Sequence, residues 1–142
     1  HHRPKNEFQA KFSMEYSIAI LLIDRRAYIP EYQDKRINKS DVQGMLRKIN
    51  FYKNQKAEAA GYDKMTTIID IYLKNGKKIS GRGDFGKGSP AIPMTYDEVA
   101  DKFMGCAEFA KWPLNKSKKI ISTIKNLDKV KNIKLLSKLL SK

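Results

Sequence analysis

From Glu7 to Ala27 the apolar residues recur at helical spacing. Phe8 and Phe12 stand four apart, and Met14, Ile18, Leu21 and Leu22 continue that face. Ile20 and Ile23 are apolar on the opposite side, so the segment is expected to be buried on most of its faces. Ser13 is placed to cap a new turn inside it. Pro30 breaks the run, and Asp34 to Ile37 read as a connector with room for one helical turn. Ser40 is expected to cap a second helix whose stripe is Val42, Met45, Leu46 and Ile49.

The period then changes. Ile49, Phe51 and Lys53 alternate with their neighbours in INFYKN and predict a short strand. Gln55 to Asp63 are polar and Ala-rich, which predicts a loop. Thr66 to Leu73, TTIIDIYL, are β-branched and aromatic, and Asn75-Gly76 follows as a hairpin signal. The chain returns through Lys78, Ile79 and Ser80, so a hairpin is predicted over about residues 66 to 83.

After Thr95 helical spacing resumes. Thr95 and Glu98 form a capping box, and Val99, Phe103, Cys106 and Ala107 are the expected inner face. Trp112-Pro113 ends that helix. Asn115 is expected to cap the next one, with Ile120, Ile121, Ile124 and Leu127 on one side. Val130 to Leu140 predict a last helix carrying Leu135, Leu136, Leu139 and Leu140. Two amphipathic helices at a chain end need something to bury them. The class is α+β: a small hairpin-containing sheet packed by helices, then C-terminal helices. Residues 1–90 and 91–142 are the expected division.

Composition narrows the partners. The chain has 142 residues, 41% hydrophobic, enough for a packed core. One cysteine, Cys106, excludes an internal disulfide and fits a reducing, cytoplasmic setting. No apolar run is long enough to span a bilayer. Lys and Arg number 29 against 15 Asp and Glu, a net charge of +14 that attracts polyanions. Nine lysines from Lys116 to Lys142 crowd the last stretch, without arginine or interleaved aromatics. A single-strand binder sets stacking rings beside its charges. A solvated helix face is therefore the preferred reading, with no nucleic acid and no membrane as partner. A basic module for nucleic acid or an anionic membrane surface is the alternative.

Gly81, Gly83 and Gly86 spell GxGxxG in GRGDFGKGSP, and Arg82-Gly83-Asp84 is an RGD tripeptide. A dinucleotide loop follows a strand and opens a helix, whereas this stretch leaves a hairpin arm and meets Pro90 and Pro93. Gly88 also separates Lys87 from Ser89, which breaks the phosphate-loop pattern. No nucleotide site is expected, and nothing else supports the secretion that an adhesion signal requires. His1 and His2 are the only histidines, and they read either as native residues or as a purification-tag remnant. The carboxylates are scattered, so no catalytic set and no metal site is predicted. Cys106 reads as a small core residue.

RPKNEFQAKFSMEYSIAILLID nevertheless resembles the head of the second domain of the MmgE/PrpD family. The likeness rests on Arg3-Pro4, Ala10-Lys11-Phe12-Ser13 and Leu21-Leu22-Ile23-Asp24. It continues through Ile29-Pro30-Glu31-Tyr32, Asp34 to Ile37, Val42 to Ile49, Leu73 to Gly76, Lys87 to Pro90, Asp97-Glu98-Val99 and Lys102-Phe103. Arg25-Arg26 departs from it, since many relatives carry Asp-Gly or Gly-Gly there.

The resemblance implies the C-terminal part of an enzyme acting on a small di- or tricarboxylic acid, without cofactor or metal. A hydro-lyase of the 2-methylcitrate dehydratase type is expected, with decarboxylation and epimerisation as the family's other reactions. Residues 1–90 would be the active-site lid, and residues 91–142 would return to pack on an N-terminal helical domain. A homodimer is implied for the full-length protein, and a fragment alone would be inactive. The His and Lys residues credited with catalysis lie mainly in the helical domain, and a tyrosine implicated in relatives falls just upstream of His1. No catalytic residue is therefore assigned within the chain. Arg3, Lys11 and His2 are the substrate-binding candidates, although a helix-side ion pair is the preferred role for Lys11.

Overall fold

Ser13 divides the first helical segment. Its hydroxyl accepts the Tyr16 N–H at 3.2 Å, satisfying one of the donors that a helix start leaves unpaired. Two helices result, α1 (Glu7–Lys11) and α2 (Met14–Asp24), in place of one long helix to Ala27. A computed structural model describes residues 1–141; Lys142, the last of the basic run, lies outside them. Among the described residues there are eight α-helices and one two-stranded antiparallel sheet, an α+β chain. They form two compact units: His1–Phe51 with the segment from Tyr96 onward, and Tyr52–Thr95.

The core of the first unit is Ala10, Tyr16, Ala19, Ile20, Ile37, Val42 and Leu46, with Ile23, Tyr32, Met45 and Ile49 packed around it. It joins α1 and α2 to α3 (Asp34–Ile37) and α4 (Ser40–Leu46). The expected face of Phe8, Phe12, Met14 and Leu21 is on the outside, with Phe8 69% and Phe12 66% exposed. Both sides of this segment are apolar, so its pattern does not choose a side. Packing does: the small Ala10 and Ala19 admit close neighbours, and the Tyr16 hydroxyl donates to the Glu31 carbonyl. Ser40 is the first residue of α4 and not its cap, which is Lys39.

Three helices complete this unit: α6 (Tyr96–Phe109), α7 (Leu114–Lys125) and α8 (Lys134–Leu140). α6 packs on the 3-10 turn Ile29–Tyr32, α7 on α6, and α8 on α7. The end of α6 is a left-handed cap. Lys111 has φ 57°, its N–H bonds the Glu108 carbonyl at 2.9 Å, and the Trp112 N–H bonds the Ala107 carbonyl at 2.8 Å. The inner face is Ala100, Phe103, Met104 and Ala107, rotated from the expected one, and Phe103 meets Trp112 edge-on. Cys106 is therefore exposed, not a core residue, and Val99 is half exposed. α7 starts after Pro113, before the expected cap Asn115. The last helix starts at Lys134 instead of Val130, because Leu127–Lys129 form a separate 3-10 turn.

In the second unit, α5 (Gln55–Glu58) occupies part of the predicted loop. Asn54 accepts the N–H groups of Lys56 and Ala57 at 3.0 and 3.2 Å. The strand predicted through Phe51 and Lys53 does not form, and Phe51 and Tyr52 are exposed. The hairpin is β1 (Thr67–Tyr72) against β2 (Lys78–Gly83), in register from Thr67↔Gly83 to Tyr72↔Lys78. Its loop is longer than a two-residue turn. The Gly76 N–H bonds the Leu73 carbonyl at 3.0 Å, and the Leu73 N–H bonds the Lys77 carbonyl at 2.9 Å. Only Gly76 has positive φ, so this is a turn closed by a left-handed glycine. Gly81 and Gly83 lie in β2, and the next helix in the chain starts only at Tyr96. Asp84 of the RGD tripeptide is tied to Thr66 at 2.8 Å and Arg82 at 2.9 Å.

Candidate functional site

The three candidate residues lie at the head of the chain, His2 and Arg3 before α1 and Lys11 in its last turn. Pro4 is fully buried and anchors the stretch. Asn6 then caps α1 by accepting the Gln9 N–H at 3.0 Å, which sets the helix that carries Lys11. Lys11 reaches Glu7 one turn back at 2.6 Å, the helix-side ion pair expected of it. Arg3 is exposed, with no hydrogen bond or ion pair among the described residues. Its charge is available to an anionic ligand.

His2 is placed differently. Its ring Nδ1 bonds Oε1 of Glu15 at the start of α2. The His2 side chain is 78% exposed, whereas that of Glu15 is 5% exposed. The Ser13 hydroxyl stands 3.4 Å from the other carboxylate oxygen, so the residue that caps α2 also faces Glu15. Burial works to raise the Glu15 carboxyl, but the His2 hydrogen bond, a bond from Glu15's own backbone N–H, the His2 charge and the Ser13 hydroxyl together outweigh it and hold the group below its ordinary value. Glu15 was not singled out in the sequence. Its only signal there is a carboxylate in the first turn of an otherwise apolar helix, a position that also suits the helix dipole.

A groove of about 700 Å³ elsewhere in the first unit is a poor site for an acid. Asp101 and Glu108 stand among its walls beside Met104, Phe109 and Trp112. Its one arginine, Arg26, is bound to Glu31 at 2.7 Å. The carboxylates would repel an anionic ligand. The lysine-rich tail is partly engaged with its own unit. Lys116 lies over Trp112 at 4.7 Å, and Lys125 lies over Tyr96 at 5.3 Å and 3.6 Å from Asp97. No helix among the described residues is long and apolar enough to cross a membrane.

Comparison with known proteins agrees with the resemblance of the N-terminal head. The sequence profile of the MmgE/PrpD C-terminal domain matches residues 1–129. Human cis-aconitate decarboxylase is 24% identical over 138 residues, which is 96% of this chain and 28% of that protein. The mouse cis-aconitate decarboxylase is 22% identical over the same shares. The chain thus spans just over a quarter of the length of these relatives. With the profile covering all but the last residues, including the Arg3-Pro4 head, the capped α2 and the hairpin, the chain belongs to the MmgE/PrpD family as its C-terminal domain.

Proposed function

We propose that the chain is the C-terminal part of a lyase acting on a small di- or tricarboxylic acid, and that it serves there as an active-site lid. The observation that carries this reading is family membership over residues 1–129. The relatives' names add cis-aconitate as one candidate substrate, beside the 2-methylcitrate expected from the resemblance. The two reactions share a chemical need. Dehydration takes a proton from carbon beside a carboxylate; decarboxylation leaves an electron pair on carbon that a proton must meet. Both require an acid–base group at carbon and cations to hold the remaining carboxylates.

The uncompensated Arg3 supports the cationic half of that need. Lys11, bound to Glu7, is a weaker candidate. The proton-handling half is expected mainly of an upstream helical domain, where the resemblance puts most of the His and Lys residues credited with catalysis. The exposed Phe8 and Phe12, and the exposed Ile124 and Leu140, are the surfaces that domain would cover. A lid contributes by closing over the substrate and excluding water. We take the full-length lyase to be a cytoplasmic homodimer.

The test is turnover of 2-methylcitrate and cis-aconitate by the full-length protein and by residues 1–142 alone. The full-length protein is expected to consume one of the two, and the chain alone neither. Robust turnover by the chain alone would overturn the lid role. Failure of the full-length protein on both acids would overturn the substrate class.

A further inference from the structure

We propose that His2 is a proton-transfer residue of this carboxylic-acid chemistry and that buried Glu15 is its positioning residue, an inference that rests on the lyase reading above. Nδ1 of the ring faces the Glu15 carboxylate, so Nε2 is the nitrogen left for another partner. A carboxylate on one ring nitrogen fixes the tautomer in which the other nitrogen bears the lone pair, and it stabilises the imidazolium that forms when that nitrogen takes a proton.

The pair is not an ordinary surface contact. Glu15 is almost fully buried, and no Lys or Arg pairs with it among the described residues. Among those residues His2 is its one ionic partner, and the Ser13 hydroxyl is its neighbour on the other oxygen. A buried carboxylate with so small a partner set is costly to keep unless its partner is held in place. Among the described residues the imidazole is thus held through Nδ1 at the start of α2, while most of the ring is exposed. Arg3, the next residue, brings an uncompensated cation to the same stretch.

The step is a single proton transfer. The bond from hydrogen to the carbon beside a substrate carboxylate breaks, and a new N–H bond forms at Nε2. The electron pair stays on carbon and spreads into the carboxylate. In the decarboxylating sense the same group returns a proton to the carbon that carbon dioxide has left.

The experiment uses the full-length protein with 2-methylcitrate and cis-aconitate. His2→Gln is expected to lower kcat about 100-fold or more, with KM nearly unchanged, while His1→Gln leaves both constants alone. Glu15→Gln, which preserves shape and removes the charge, should lower kcat in the same sense. Ring ¹⁵N spectra of the wild-type protein should show Nδ1 as the proton-bearing nitrogen of neutral His2. Thermal unfolding identifies any variant that has lost its fold, and the exposed His2 ring makes His2→Gln the safer of the two. Unchanged kcat in His2→Gln of an active enzyme would overturn the proposal while the lyase reading stands. So would a proton on Nε2 in place of Nδ1. A protein that shows the pairing in its spectrum but turns over neither acid would overturn the lyase reading, and the chemical role with it.

Discussion

The Arg36 guanidinium grips Asp24 through two parallel bonds, Nε to Oδ2 and Nη2 to Oδ1, each 2.7 Å. It also reaches both oxygens of Asp41, at 2.9 and 3.0 Å. One planar fork on α3 thus ties the end of α2 to the start of α4. Lysine keeps the charge but cannot present this fork. Arg36→Lys is expected to cost about 1–3 kcal/mol of stability, read by urea unfolding. A midpoint equal to that of the wild-type protein would show that the fork is decorative.

The same fork sets an acid limit. Its hydrogen bonds are the chief reason that Asp24 and Asp41 both titrate below the usual carboxylate range. A carboxyl depressed in the folded state contributes stability that is fully present above its unfolded pKa, about 3.9. That contribution is lost as pH falls through the depressed folded values. Stability should therefore hold between about pH 5 and 7 and fall below about pH 4. In Arg36→Lys the loss on acidification should be smaller. An equal acid loss in both proteins would place the sensitivity elsewhere, with Glu15 as the next group to test.

Arg25 ends α2 with φ 60° and ψ 12°, in the left-handed region that favours glycine. It stands where many members of the family carry a Gly-containing pair. The conformation costs an ordinary side chain about 1–2 kcal/mol, and glycine gives back about 0.4–1 kcal/mol through the freer unfolded chain. Arg25→Gly should thus stabilise by about 0.5 kcal/mol, and Arg25→Val should destabilise by about 1 kcal/mol. Calorimetric melting of the two variants checks the order, and a Val variant more stable than Gly would contradict it.

Local chemistry made the hairpin, the one-turn α3 and the helical period after Thr95 legible, because β-branched runs, Asn-Gly and regular apolar spacing act within a few residues. The choice of face on α2 was not legible. Tyr16, Ala19 and Ile20 lie inside because α3, α4 and the Glu31 carbonyl meet them there, and those partners are distant in sequence. Cys106 failed for a related reason: a small shift in the phase of α6 carries it from the inner face to solvent. At the candidate site, Arg3 and Lys11 were reached through family resemblance. The His2–Glu15 pair joins residues thirteen apart across a chain reversal, and neither residue alone announces the other.

The glycine-rich stretch should not bind nucleotide. Gly81 and Gly83 stand in β2, and the exit from Gly86 to Ile92 closes on itself through the Gly88 N–H and the Ile92 carbonyl at 2.7 Å. A phosphate cradle needs backbone donors at a helix start, and the chain enters α6 only at Tyr96. Millimolar ATP or NAD is expected to leave the amide signals of residues 81–89 in place. Saturable shifts confined to those residues would refute this.

Arg3 and Lys131 separate the site from general charge. Both are exposed cations with no partner among the described residues. Arg3 stands at the head that carries His2 and the capped start of α2. Lys131 lies between the 3-10 turn Leu127–Lys129 and α8, in the lysine-rich tail. If the protein only attracts anions by net charge, removing either cation should weaken substrate binding slightly and equally. If Arg3 grips a substrate carboxylate, its loss removes a charge-assisted hydrogen bond of about 1.5–3 kcal/mol, or roughly a 10- to 100-fold fall in kcat/KM. In the full-length protein Arg3→Ala is therefore expected to lower kcat/KM by that factor, and Lys131→Ala to change it less than twofold. Raising the salt concentration should erase any small Lys131 effect through screening and leave most of the Arg3 effect. Equal effects of the two substitutions at low salt, vanishing together at high salt, would remove Arg3 from the site.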